Sequence, residues 1–494
     1  MNTPDPTPSA AAVHRLLRID GAGVADARGL LAAPGTLLFR LDDAAPPHAG
    51  RAFWHARATL LAAGAPADID RALRTLTRAD GHTPDLVRID ARDRLLVPGL
   101  VNAHAHLDLS HIPPVEHPPG AGFAPFARVV IAGRAQDEPG VAASARRGID
   151  LSLAGGVVAV GDVAGPVRGR PTLTPALEML RAGLWGRSYI EFFARGTPDE
   201  ERQRTDALGE WFDAALAEWT RAGGEAPSPL HAPARLGLGI SPHATYSVSR
   251  RGYGWALRRA RRSGLALMTH LAEHADERRF IASGDGPVRE FYEALSAWHD
   301  GRAWDVGDGR SPVAWLTEVL RGGDIAAAHV NDCDDADLQT LAETGARVLY
   351  CPRSSAYFRN HEVFGPHRYR DMLRAGVTVA LGTDSLINLP AAHPGSAARL
   401  TPLDDARLLL ARDGDAGGVD PVELLAMLTT RGARALALDE RAFGFGEHRS
   451  EIERRSESER RSAGVTAIAL TGSGDPLRAA FAGDGAPELL LLGK

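Results

Sequence analysis

Histidine and acidic residues recur at the ends of short apolar runs in this sequence. The set comprises His104, His106, His243, His270, Glu273, His329 and Asp384. Imidazole nitrogens and carboxylate oxygens are ligands that suit Zn²⁺, and Fe²⁺ or Mn²⁺ could also accept them. Four such ligands leave a position for water, as in an open catalytic site. The residue types therefore predict a divalent metal centre with hydrolytic chemistry.

His104 and His106 are separated by a single residue. Because side chains along a strand alternate with a period of two, both imidazoles would point to the same side. A pair of this kind also arises by chance in a chain with 18 histidines, and a single histidine on a strand is more often structural. The prediction rests on the combination, since the candidate ligands close the first, fifth, sixth and eighth apolar runs in order.

Eight apolar runs, each followed by a segment with helical spacing, are the elements that must position these residues. They cover residues 95–106, 156–163, 186–193, 235–244, 265–273, 324–330, 347–354 and 377–385. Several of the helical segments end in glycine just before the next run, as helix C-termini do. Strand and helix alternating eight times predict a (β/α)₈ barrel, whose active site lies at the C-terminal ends of the strands.

The two ends of the chain are predicted to form a second, smaller unit. Strand-like runs with turn residues between them occur in 13–94 and again after 439, so we expect one discontinuous β-sandwich domain made of 13–94 and 439–494. The barrel would occupy 95–438. Residues 1–12 are expected to be disordered, and the charged run 447–463 is expected to be a solvated loop.

Composition narrows the functional classes. The chain has 494 residues, a formal net charge of −6 and no basic stripe, which argues against nucleic acid as a partner. It has no secretory leader pattern, no apolar run of about 18 residues, and only two cysteines, so we expect a cytoplasmic protein without disulfides. The only lysine is Lys494, so a catalytic or metal-bridging lysine inside the fold is excluded.

Several motifs resemble those of the amidohydrolase superfamily over about Leu95 to Leu438. They are PGLVNAHAHLDLS (98–110), ISPHATYSVS (240–249), THLAEHADE (269–277), AHV (328–330), YCPRSSAYF (350–358) and LGTDS (381–385). They are similar to the branch with mononuclear cytosine, S-adenosylhomocysteine and aminodeoxyfutalosine deaminases and the triazine chlorohydrolases. The sequence departs from that branch at Ser355, where relatives commonly carry Asn, and in 386–395.

The resemblance implies a role for each matching residue. His104, His106, His270 and Asp384 would bind one metal ion, Glu273 would shuttle protons, and His329 would orient the attacking water. Asp384 would also accept the proton of that water, and His243 would contact the substrate. Binuclear relatives bridge two ions with a carboxylated lysine, and the absence of an internal lysine agrees with a single ion.

The implied activity is hydrolytic deamination of an aminopurine nucleoside or related heterocycle, with a homodimer as a further expectation by analogy. Two alternatives stay open: displacement of another leaving group, as in triazine hydrolases, and a catalytically inactive barrel used as a scaffold. Ser385 is a further candidate for substrate binding. Arg353 could meet an anionic group of the substrate, or it could pair with an acid in the barrel wall.

Overall fold

The computed structural model describes residues 15–42, 53–80, 85–118, 120–227, 234–294, 305–389, 399–414, 419–446, 461–471 and 474–493. The predicted disordered segment 1–12 and most of the charged run, 447–460, lie outside these ranges. The structure forms two sheets with helices around the larger one. Among the described residues, no helix combines the length and the apolar character needed to cross a membrane.

The strands, in chain order, are as follows. They are β1 (Arg15–Asp26), β2 (Gly29–Ala32), β3 (Gly35–Asp42), β4 (Trp54–Gly64), β5 (Asp85–Pro98), β6 (Leu100–Ala105), β7 (Val157–Ala164), β8 (Trp185–Phe192), β9 (Leu236–Pro242), β10 (Ala266–Leu271), β11 (Ile325–His329), β12 (Arg347–Tyr350), β13 (Val379–Leu381), β14 (Gly464–Ala469) and β15 (Pro487–Gly493).

The helices are mostly the connections between strands of the larger sheet. They are α1 (Pro66–Asp80), α2 (Phe123–Gly133), α3 (Glu138–Ala154), α4 (Thr174–Ala182), α5 (Pro198–Arg221), α6 (Arg250–Ser263), α7 (Ala275–Ser283), α8 (Pro287–Ala294), α9 (Pro312–Gly322), α10 (Asp335–Thr344), α11 (Pro352–Tyr357), α12 (Asn360–Phe364), α13 (Tyr369–Arg374), α14 (Leu403–Asp413), α15 (Pro421–Leu428), α16 (Thr430–Ala435) and α17 (Pro476–Ala482).

Local sequence signals account for the ends of these helices. The side chain of Thr197 caps α5 in a reciprocal pair with Glu200, and Ser249 accepts a hydrogen bond from the first turn of α6. Gly264 and Gly345 end α6 and α10 in the left-handed conformation that glycine adopts most easily. Each of these glycines comes shortly before a strand, as the sequence predicted.

The larger sheet contains eight parallel strands in sequential order, from β6 to β13. It closes at a seam between β13 and β6, where the backbone N–H groups of Thr383 and Asp384 both donate to the carbonyl of His104 at 3.0 Å. The Asn102 side chain adds two hydrogen bonds to Thr383 across the same seam. A Cβ atom at Gly382 would lie 2.7 Å from the Cβ of His104, so the strands can approach this closely only at a glycine.

The predicted (β/α)₈ barrel is therefore confirmed, and each of the eight predicted runs overlaps one of its strands. The first run differs in one respect. Residues 95–98 belong to β5 of the small sheet, and the chain enters the barrel only at Leu100. Pro98 and Gly99 separate the two strands, and Gly99 donates its backbone N–H to the carbonyl of Gly464 in the small sheet.

The small unit is built from both chain ends, as predicted. Its seven strands run in the order β2-β1-β3-β4-β15-β14-β5, and β1 also pairs with β5. This extra pairing closes the sheet on itself, so the two faces expected of a sandwich are opposite sides of one small barrel. Its interior is apolar and includes Leu17, Phe39 and Leu491.

Candidate active site

Four side chains converge where the first, fifth and eighth barrel strands end. The Nε2 atoms of His106 and His270 are 3.2 Å apart. Asp384 Oδ1 lies 3.6 Å from His104 Nε2 and 3.5 Å from His106 Nε2. Two nitrogens bound tetrahedrally to one ion at ~2.0–2.1 Å would be roughly 3.3 Å apart, so the separation of His106 and His270 suits a shared ion.

The hydrogen bonding of the same cluster also fits a metal ion. Four imidazole nitrogens are buried with no hydrogen-bond partner in the described ranges: both ring nitrogens of His104, Nδ1 of His106 and Nε2 of His329. An unsatisfied buried polar group costs about 1–3 kcal/mol, and native structures keep few of them. Within the described part of the chain, His104 is grouped with His270 and His329, and separately with His106 and Asp384, at distances that one ion could bridge. The nitrogen and oxygen donor set suits Zn²⁺ or Fe²⁺.

Neighbouring groups fix the orientation of two of these residues. His270 Nδ1 donates to the carbonyl of His243 at 3.0 Å, which leaves the lone pair of its ring on Nε2, facing the cluster. Asp384 Oδ2 accepts hydrogen bonds from Ser354 Oγ at 2.8 Å and from Asn388 Nδ2 at 2.5 Å. The Oδ1 atom of Asp384 is therefore the one held towards the histidines.

The backbone is strained at the ends of three strands. Ala272, His329, Val330 and Asp384 have φ angles of 52°, 74°, 52° and 60°, in the left-handed region that residues other than glycine seldom adopt. Strain of this kind concentrates at functional sites, where the surrounding structure holds it in place. Here the amide of Val330 is held by the carbonyl of Leu271 at 2.9 Å, which ties the end of β11 to β10.

Glu273 and His329 stand beside the cluster, with 3.7 Å between Glu273 Oε1 and His329 Nε2. Burial raises the pKa of Glu273 well above its usual range, and the nearby Asp384 and Glu277 carboxylates raise it further. Glu277 accepts the backbone N–H of Glu273 at 2.8 Å and the hydroxyl of Thr245 at 2.6 Å. The raised pKa favours the protonated form of Glu273, and the hydrogen bond to Glu277 fixes its backbone.

The pKa of Asp384 shifts in the opposite direction. Burial opposes its ionisation, but the nearby imidazoles of His104, His329 and His106 outweigh burial and lower the pKa well below its usual range. Two carboxyl groups in one site therefore differ in proton affinity. In such a pair, the group with the lowered pKa is suited to act as the ionised partner and the group with the raised pKa is suited to donate a proton.

A cavity of about 500 Å³ opens onto the cluster and is lined by His106, His270, Glu273 and Asp384. Most of its other walls are apolar. Phe123 and Phe126 on α2 form one wall, and the Phe123 ring stacks on the imidazole of His274 with 4.1 Å between ring centres. A volume of this size accommodates a small heterocyclic molecule.

The structure places the remaining predicted site residues in different surroundings. His243 and Ser385 both line the cavity. Arg353 does not: its guanidinium donates to Asp405 at 2.7 Å and to the carbonyl of Thr401 at 2.9 Å. The assignment of Arg353 to substrate binding is therefore replaced by the other alternative, an ion pair in the barrel wall, because its donors are already engaged there.

Sequence reasoning missed several polar residues around the cavity. Ser354 and Asn388 orient Asp384, and Asn388 lies in the segment after Asp384 that departs from the related pattern. The only signal in the sequence was its position four residues after Asp384, close enough along the chain for its side chain to reach that carboxylate. Glu191, the residue before the last one of the third barrel strand, lines the cavity and was not singled out either. Burial raises its pKa to about 8.

Comparisons with known proteins agree with this geometry. The amidohydrolase family model matches residues 95–442. The aminodeoxyfutalosine deaminase of Deinococcus radiodurans is 33% identical over 326 residues, which are 62% of this chain and 69% of that protein. The 5-methylthioadenosine/S-adenosylhomocysteine deaminase of Haloarcula marismortui is 28% identical over 357 residues, which are 71% of this chain and 70% of that protein.

Two solved structures have the same fold. Helicobacter pylori aminofutalosine deaminase superimposes with a TM-score of 0.63 at 18% identity and covers 94% of each chain. Atrazine chlorohydrolase from Arthrobacter aurescens, solved with zinc, superimposes with a TM-score of 0.61 at 16% identity and covers 94% of this chain and 91% of that one. At these identities the likeness concerns the fold alone. On the family match, the chain belongs to the amidohydrolase family of metal-dependent hydrolases.

Proposed function

We propose that this chain is an aminohydrolase that converts an aminopurine nucleoside, or a related amino-heterocycle, to the carbonyl compound and ammonia. The observation that carries the proposal is the cluster of His104, His106, His270 and Asp384, which lies beside Glu273 at one largely apolar cavity. The substrate class is supported by the two relatives, both of which are named as deaminases of adenine-type compounds.

One divalent ion per chain, zinc by preference, would be held by His104, His106, His270 and Asp384. The unpartnered imidazole nitrogens of the cluster support this assignment. When bound, such an ion lowers the pKa of water towards ~7 and so makes a nucleophile available at neutral pH. Fe²⁺ and Mn²⁺ suit the same donors. A lysine-bridged second ion is not part of the proposal, because the only lysine is the terminal Lys494.

The protein side chains then move the protons. Asp384, whose Oδ1 faces the histidines, accepts the proton of the attacking water. Glu273 gives its proton to the ring nitrogen next to the reacting carbon, and a proton passed on through Glu273 later leaves with the amine as ammonia. His329 Nε2 hydrogen-bonds the incoming oxygen and orients it. General acid–base assistance of this kind is worth ~10²–10⁴-fold in rate.

The cavity walls support a flat, largely apolar substrate. Phe123 and Phe126 offer ring surfaces, and His243 and Ser385 provide polar contacts within the same cavity. Aromatic walls with a few polar groups bind heterocycles and exclude water from the reacting atoms. We assign His243 and Ser385 to substrate binding on this basis.

Further assignments are proposed from the sequence. The sequence places the barrel at 95–438 and the small domain at 13–94 and 439–494. Because β5 of the small sheet ends at Pro98 and β14 starts at Gly464, we propose the first boundary at Gly99 and keep 439–494 in the small domain. A cytoplasmic location, a homodimer and a small-molecule rather than a nucleic-acid partner are proposed from composition and analogy.

The test combines metal analysis with an ammonia assay. Purified protein is measured for metal per chain and incubated with aminopurine nucleosides, free bases and aminotriazines. About one ion per chain with ammonia from a nucleoside supports the proposal. One ion with chloride or alkylamine release from a triazine would instead establish the other leaving group. An absence of metal after reconstitution with zinc, iron or manganese would leave the inactive scaffold as the explanation.

A further inference from the structure

Glu191 on β8 is a carboxyl group in the cavity wall that the proposed mechanism does not use. Its side chain is 1% exposed, and its Oε1 atom is buried with no hydrogen-bond partner among the described residues. A buried carboxyl group without hydrogen bonds is unfavourable, and such groups persist where they have a ligand or a catalytic role. Because Glu191 also lines the cavity, the missing partner is expected from a molecule bound there.

The nearest histidines do not supply that partner. His243 Nε2 lies 4.0 Å and His270 Nδ1 lies 3.9 Å from Glu191 Oε1, which is too far for a hydrogen bond. Their other contacts explain why. His270 Nδ1 is engaged by the carbonyl of His243 at 3.0 Å, and His243 Nδ1 is 2.7 Å from Ser247 Oγ.

A second unpartnered polar atom belongs to the same wall. The hydroxyl oxygen of Tyr246, in the segment after β9, is buried and finds no hydrogen-bond partner in the part of the chain that the structure describes, and the residue lines the cavity. Glu191 and Tyr246 thus present two unsatisfied hydrogen-bonding groups on the β8–β9 side of the cavity. Glu273, His329 and Asp384 stand on the β10–β13 side.

We propose that the Glu191 carboxyl group binds the polar edge of the substrate nucleoside that lies away from the leaving amino group, with the Tyr246 hydroxyl beside it. This rests on the proposed function, because Glu273 and Asp384 must face the reacting carbon and its neighbouring nitrogen. The opposite edge of an adenine nucleoside offers ring nitrogens and ribose hydroxyls. Glu191 is accordingly a specificity-determining residue for that edge.

The experiment compares nucleosides that each lack one polar atom. Metal-loaded wild type, Glu191→Gln and Glu191→Leu are measured with adenosine, 3-deazaadenosine, 7-deazaadenosine, 2′-deoxyadenosine and 3′-deoxyadenosine, for kcat/KM and for equilibrium dissociation constants. Wild type is expected to discriminate against one analogue by about 10–100-fold, the value of a hydrogen bond to a strong partner. Glu191→Leu should lose that discrimination, and the analogue concerned identifies the atom that Glu191 binds.

Asp162→Asn is the matched control. Asp162 is a buried carboxyl group on the neighbouring β7, but it accepts hydrogen bonds from Ser188 Oγ at 2.7 Å and from the backbone N–H of Leu107 at 3.1 Å. It is not among the residues that line the cavity. Its replacement removes the same kind of group one strand away, so the analogue pattern should stay that of the wild type even where stability changes.

Three results would overturn the inference. The first is a Glu191→Leu enzyme that discriminates among the five nucleosides as the wild type does. The second is a wild type with two ions per chain that falls to one in Glu191→Gln, which would place a cation among Glu191, His243 and His270. The third is loss of all metal in Glu191→Leu, which would make Glu191 a support of His270.

The outcome for the proposed function is read separately. Nucleoside binding with the expected Glu191 dependence but without ammonia would reject deamination and keep the Glu191 assignment. Ammonia release that does not change on substitution of Glu191 would keep deamination and reject the Glu191 assignment. Wild type that neither binds nor deaminates any of the five nucleosides would reject both.

Discussion

Charged side chains are buried at both ends of the barrel, but their hydrogen bonding differs between the two ends. At the end where β6 begins, Arg187 donates to the carbonyls of Gly186, Ala234 and Ala437 at 2.7–3.1 Å. At the opposite end, His104, His329 and Glu191 carry buried atoms without partners. The Arg187 guanidinium is thus held by three backbone carbonyls of the protein, whereas several buried donors and acceptors at the opposite end have no partner among the described residues.

This difference indicates that one end of the barrel contributes mainly to stability and the other mainly to function. Groups that the protein satisfies itself add to folding, while unsatisfied groups and left-handed residues such as His329 and Asp384 lower stability until a ligand binds. Barrel enzymes in general divide their two faces in this way. Substitutions at the end with the histidine cluster should therefore lower activity, whereas substitutions at the end where β6 begins should lower stability.

The largest effect is expected for Asp384→Asn. The amide keeps the size of the side chain but loses the charge that faces His104 and His106, so metal content should fall and ammonia release should drop by at least ~10³-fold. Metal analysis and the ammonia assay measure both. Full activity with normal metal content would remove Asp384 from the site.

Glu273→Gln should separate chemistry from metal binding. Glu273 is not among the proposed ligands, so we expect wild-type metal content with a loss of ~10²–10⁴-fold in kcat, because the proton donor is gone. Elemental analysis and steady-state kinetics on the same preparation make the test. A wild-type rate in this variant would contradict the mechanism.

Asn388→Ala addresses the orientation of a ligand instead of the ligand itself. Removing the amide that donates to Asp384 Oδ2 should weaken metal affinity by about 10–100-fold, as is usual for groups that orient metal ligands. Competition with a chelator gives the affinity. Ser354→Ala is the companion variant, since Ser354 donates to the same oxygen, and unchanged affinity in both would show that Asp384 orients itself.

The smallest effect on activity is expected at the other end of the barrel. Arg187→Met would leave buried carbonyls without donors and should lower the free energy of unfolding by about 2–4 kcal/mol. Urea denaturation of the metal-loaded protein measures this. Ammonia release by the folded enzyme at 25 °C should stay within about twofold of the wild type. A large loss of rate with unchanged stability in Arg187→Met would contradict the assignment of this end of the barrel to stability.

Much of this arrangement could be predicted from the sequence because it depends on periodicity. The HxH spacing of His104 and His106 and the order of strand ends follow from the alternation of side chains along strands and from the common direction of parallel strands. The resemblance supplied the roles of Glu273 and His329. These features depend on local pattern, which a sequence displays directly.

Other features depend on contacts between distant segments and could not be predicted. Whether Arg353 meets a substrate or an acid was undecided until Asp405, 52 positions later, was found beside it. The boundary at Gly99 was hidden because the last four residues of β5, 95–98, are buried like the whole of β6, so the two together look like one apolar run. Glu191 was overlooked because a single acid in a strand carries no spacing signal.

The seam of the barrel has a consequence for how the enzyme is made. Asn102 and Thr383, which bond across it, are 281 positions apart, so two of the proposed ligands leave the ribosome long before the last one. A chain that stops short of β13 has His104 and His106 but no Asp384. The proposed four-ligand metal site can therefore form only after the chain has been made through Asp384.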